Sequence, residues 1–84
     1  MDKETLIAAL KEIVKPYAKN EAALLNINED TTFVEDLKIN SANLVDVILD
    51  VEEKYNIVID NESMERMLNV KAAMEIIEAK LATQ

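Results

Sequence analysis

Few side chains in this sequence are equipped for covalent chemistry. There is no cysteine and no histidine, which removes thiolate nucleophiles and the commonest general base. One hydroxyl stands out in the stretch DLKINSANLVDVILDVEEKY, residues 36–55. Ser41 sits just ahead of an apolar periodicity, where a helix should begin. Position alone makes it a helix cap, because serine is among the preferred N-cap residues. Hydrolase chemistry is excluded. No histidine can take the proton, and a chain without glycine cannot form a G-x-S-x-G elbow. What remains is a hydroxyl modified by another enzyme, and a phosphate ester there would meet the unpaired N–H groups and partial positive charge of a helix start.

A second constellation fails on its spacing. NINEDTTFVEDL puts Asn26, Asn28 and Asp30 at alternate positions, as a calcium loop would. The sixth position is Thr31 where an EF-hand needs glycine, and the twelfth is Leu37 where it needs a bidentate Glu. No metal site is expected.

The helix following Ser41 carries two apolar strips. At about 100° per residue, Leu44, Val47, Ile48, Val51 and Tyr55 share one arc and form the core stripe. Val45 and Leu49 fall roughly 100–140° from its centre, with Ala42 beside them. Asp46, Asp50 and Glu53 take the next arc, and Glu52 lies between the strips. One helix of a small domain can hardly bury both strips. The outer one reads as a docking face, with aliphatic contacts bordered by acids.

The elements that must position these residues are helical. With no Gly, a single Pro and abundant Leu, Ile, Ala, Lys and Glu, the chain favours helix throughout. Leu6, Ile7, Leu10, Ile13, Val14 and Tyr17 predict a first helix from about Lys3, capped by Asp2 and ended near Lys15 by Pro16. A long connection follows, with a short turn at Ala22, Leu24 and Leu25, pinned by Ile27, Phe33, Val34 and Leu37. The second helix spans about Ser41 to Tyr55, with Asn56 as a left-handed stop. Asp60 and Asn61 can cap a short helix to about Leu68, and Asn69 a last helix carrying Val70, Ala73, Met74, Ile77 and Leu81. Residues 1–84 read as one all-α domain of three main helices and one short helix.

The net charge of −8 is concentrated. Residues 35–65 hold nine acids against Lys38 and Lys54, a balance of −7. That field repels nucleic acid and attracts basic protein surfaces. The lack of signal-type or spanning segments predicts a cytoplasmic protein with no membrane association.

TFVEDL, then the serine, then LVDVILDVEEKYNIVID and VKAAMEII at these spacings, resemble the acyl carrier proteins of fatty-acid and polyketide synthesis. The likeness covers roughly Thr32 to Ile77. It implies a four-helix bundle with a long first loop and a short third helix, in a monomer that is not itself an enzyme. It also implies that a phosphopantetheinyl transferase attaches 4′-phosphopantetheine from coenzyme A to Ser41, and that the arm's thiol carries acyl groups as thioesters. Partner enzymes with basic patches would read Asn40, Ala42, Val45, Asp46, Leu49, Glu52 and Glu53. The acyl tail would lie among Val47, Ile48, Val51, Met67 and Ile77, with Met64 and Met74 adapting nearby. The family's usual motif is Leu-Gly-x-Asp-Ser-Leu, whereas this chain reads Leu37, Lys38, Ile39, Asn40, Ser41, Ala42. Two other readings stand beside it: an unmodified acidic helical adaptor with Ser41 as a cap, and a peptidyl carrier of a nonribosomal synthetase.

Overall fold

The computed structural model describes residues 2–82. Helix α1, Lys3–Val14, starts where the Asp2 side chain accepts the Glu4 N–H. Leu6, Leu10 and Val14, four residues apart, form its buried stripe. Pro16 stops it: the Tyr17 and Ala18 N–H groups both fold back onto the Val14 carbonyl at 2.9 Å.

A one-turn helix α2, Glu21–Leu25, stands inside the expected long connection. Asn20 caps it by accepting from the Ala23 N–H, and its amide also donates to the Asp36 carbonyl at 3.0 Å. Leu24 anchors it in the core. The rest of the connection is held by its own polar residues. The Asn28 side chain accepts from the Asp30 N–H at 2.8 Å, so the would-be calcium ligand closes a turn. Thr32 and Asp36 bond reciprocally, each side-chain oxygen accepting the other's N–H at 2.9 Å. That tight turn sends Phe33 inward and Val34 outward, so Val34, at 41% exposure, is not one of the pins. Phe33 and Leu37 are, both fully buried.

Helix α3, Ser41–Tyr55, packs Val47, Ile48 and Val51 into the core. It ends at Asn56, whose φ of 54° and ψ of 50° are left-handed. Ile57 and Ile59 turn inward and Val58, at 76% exposure, outward, so IVI crosses the core in extended form. Helix α4, Asn61–Arg66, is capped by Asp60 accepting from the Ser63 N–H at 2.8 Å. It stops short of Leu68 because Met67 plunges into the core and the Leu68 carbonyl accepts from the Phe33 N–H. An isolated bridge between Thr32 and Asn69, and the Lys71 N–H donating to the Glu29 carbonyl at 3.0 Å, tie the long connection to the start of the last helix. Helix α5, Val70–Ala82, begins with the Asn69 side chain accepting from the Ala72 N–H, and buries Val70, Ala73, Met74 and Ile77.

Helix α1 packs against both α3 and α5. One core cluster joins all five helices and the long connection. The bundle is all-α, with three main helices as expected and α2 as an addition to the two-turn α4.

Candidate functional site: the start and outer face of helix α3

The cap of α3 is Asn40, one residue earlier than serine's preference indicated. Its side chain accepts from the Ala42 N–H at 2.9 Å, and its carbonyl receives the Asn43 and Leu44 N–H groups. Ser41 is therefore the first helical residue. It is exposed, and its hydroxyl holds no hydrogen bond among the described residues. Asparagine and serine cap equally well, so composition could not choose between adjacent positions. Tertiary pinning did: Ile39 is buried and its N–H donates to the Phe33 carbonyl at 3.0 Å, which places Asn40 at the entry.

The approach to Asn40 bends at Lys38, whose φ is 58°. A side chain there crowds the backbone, at a cost on the order of 1–2 kcal/mol that glycine would avoid. Sequence reading missed this bend, because nothing in a lysine signals it. The likeness to a motif with glycine at that position was the one available hint.

The outer strip of α3 is where periodicity put it. Val45 and Leu49 are 46% and 53% exposed, and Asn40, Ala42, Asp46 and Glu53 are exposed too. Glu52 is half-buried and already employed. One of its carboxylate oxygens accepts the Ile59 N–H at 2.7 Å, while its carbonyl receives the N–H groups of Asn56 and Ile57. Asp50 is turned toward the turn that follows α1, where the Tyr17 hydroxyl donates to it at 3.0 Å. That bond, then burial, then the negative charges of Asp50 and Asp46 push the Tyr17 pKa above its ordinary value. The solvent-facing acids flanking Val45 and Leu49 are thus Asp46 and Glu53.

The residues expected around an acyl tail are all in the core. Val47, Ile48, Val51, Met67 and Ile77 belong to one cluster, none more than 1% exposed. The structure brings them together as a closed packing. Met74 is buried beside them and Met64 packs partly against the cluster. An open groove of about 490 Å³ lies elsewhere, between α4 and α5, lined by Ser63, Arg66, Ile76 and Lys80 among others.

No family model matches the chain. It does resemble curated proteins along nearly its whole length. An acyl carrier protein of Coprothermobacter proteolyticus is 31% identical over 84 residues, covering all of both chains. One of Brachyspira hyodysenteriae is 34% identical over 73 residues, 87% of this chain and 92% of that protein. The chain belongs to the acyl carrier protein family. A relative from Solidesulfovibrio magneticus, 32% identical over 71 residues, covers 84% of this chain and 88% of its own. The carrier role follows, and the adaptor and peptidyl-carrier readings are not needed. The family name carries with it a phosphopantetheine group and acyl-processing partners. Among the described residues, no helix is long and apolar enough to cross a membrane.

Proposed function

We propose that Ser41 is the attachment point of 4′-phosphopantetheine, and that the outer strip of α3 is the face that acyl-processing enzymes read. One observation carries the first part: Asn40 does the capping, which leaves an exposed, uncommitted hydroxyl on the first residue of α3. The residues present fit the group. A phosphate ester on Ser41 lies at the positive end of a 15-residue helix, with no bulky side chain at Ala42 beside it. In attachment, the Ser41 oxygen bonds to phosphorus and displaces adenosine 3′,5′-bisphosphate from coenzyme A. Its proton goes to a base that the transferase supplies, since this chain has no histidine. When bound, the group supplies the thiol that a cysteine-free chain lacks.

The chain's own work is presentation. Helix α3 is rigid below Ser41, because Val47, Ile48 and Val51 lock it to the core. Val45 and Leu49 give a partner apolar contact, while Asp46 and Glu53 align a basic patch and speed encounter. The enzymes concerned are of fatty-acid or polyketide type, and an acyl tail enters among Val47, Ile48, Val51, Met67 and Ile77 only if that packing opens.

Intact-mass spectrometry after incubation with coenzyme A, magnesium and a broad-specificity transferase tests the attachment. A gain of one phosphopantetheinyl group is expected, and none in Ser41→Ala. A gain that survives Ser41→Ala, or no gain with several transferases, overturns the assignment.

A further inference from the structure

Lys38 occupies a backbone conformation that its own side chain disfavours. Its neighbours impose it. Leu37 and Ile39 are both buried on either side. The Leu37 N–H donates to the Thr32 carbonyl at 3.1 Å and the Ile39 N–H to the Phe33 carbonyl at 3.0 Å. The Leu37 carbonyl in turn receives the Lys19 and Asn20 N–H groups at 3.0 and 3.3 Å. The fold demands a φ of 58° at residue 38 whichever residue stands there. A lysine at such an over-determined, strained position points to a use for its side chain.

That side chain is exposed and makes no ion pair among the described residues. It carries one of the two positive charges in residues 35–65, against nine acids. The other, Lys54, is in the last turn of α3, at the far end from Ser41. Three residues of chain span at most about 11 Å. Lysine's flexible four-carbon stem and a phosphate ester on a serine can meet across that gap.

We infer that Lys38 holds the phosphodiester formed at Ser41, its ammonium pairing with the negative oxygen and fixing the base of the arm over the start of α3. The inference rests on Ser41 being the attachment point. Its physical reason is local charge. A phosphodiester stays anionic at neutral pH, and a cation beside it adds to the pull of the helix start against the acidic field around α3. Lys38 acts as a positioning residue here and takes no part in bond making.

The test compares apo and holo forms of the wild type, Lys38→Gly, Lys38→Arg and Lys38→Glu. Glycine suits the left-handed conformation, so that variant keeps the fold while losing the charge. Two readouts are independent of carrier activity: the phosphorus NMR resonance of the holo protein, and the change in folding equilibrium from apo to holo by urea denaturation. At low salt, loading should favour folding by about two- to fivefold more in the wild type and Lys38→Arg than in Lys38→Gly. Lys38→Glu should reverse the sign, and high salt should erase the difference. The phosphorus resonance should move in Lys38→Gly and return in Lys38→Arg. Identical resonances and identical apo-to-holo changes in all variants overturn the role of Lys38 while leaving Ser41 in place. Failure of every form to load overturns the Ser41 assignment, and this inference with it.

Discussion

Ser41 and Asn40 differ by one position and have opposite duties. The amide of Asn40 closes the helix start, and the serine next to it keeps its hydroxyl uncommitted. Tyr17 shows a similar division on the opposite side of the core stripe. Its hydroxyl occupies Asp50, so that carboxylate ties the turn after α1 to α3 instead of facing a partner. Because the Tyr17 pKa is raised in the folded protein, the stability this bond contributes is whole below about pH 10 and is lost as pH rises through the folded value. Tyr17→Phe should lower stability near neutral pH and flatten its decline at alkaline pH. A part of the decline remains, because burial raises the Tyr55 pKa as well. Urea denaturation across the alkaline range checks both, and an unchanged slope in Tyr17→Phe would remove the bond from the account.

Among the elements, α3 does most to define the molecule, and its two ends are built differently. The N-terminal end is left accessible around Ser41. The C-terminal end is latched: Asn56 takes the left-handed conformation, and Glu52 binds the returning chain through both its backbone and its side chain. The Glu52 side chain therefore has a structural duty beside any role in docking. Glu52→Ala should cost about 1–2 kcal/mol by leaving the Ile59 N–H without its acceptor. Glu52→Gln keeps an oxygen in place and should recover most of that loss. Thermal denaturation of the two variants decides it. Equal losses would mean that charge, and not the bond to Ile59, is what matters at this position.

For the whole molecule, the uneven charge is the main property beyond the core. Of the nine acids in residues 35–65, four lie on the helix that presents Ser41 and two more in the approach to it. Such a surface meets basic partners faster than neutral ones, and the advantage fades with salt. Asp46→Lys and Glu53→Lys should each slow acyl transfer from the holo protein several-fold at low ionic strength and little at high. Val45→Ala and Leu49→Ala should weaken transfer at both, because apolar contact is not screened. Rates measured with one partner enzyme across a salt series separate the two effects. Charge reversals with no influence at any salt would move the docking face away from α3.

The sequence by itself determined the three main helices and where the short one begins. Their apolar spacing, the caps at Asp2, Asp60 and Asn69, the stop at Pro16 and the turn at Asn56 are all local, and local chemistry settles them. It also set out both strips of α3, because a 3.6-residue period sorts the residues of one helix without reference to any neighbour. Tertiary structure decided what required a second segment. Burial of Leu37 and Ile39 forces the bend at Lys38, the bond to Phe33 places the cap at Asn40 instead of Ser41, and the return of Ile59 claims Glu52. Each depends on residues distant in the chain or on how two segments share one core, and no pattern within a single helix contains that information.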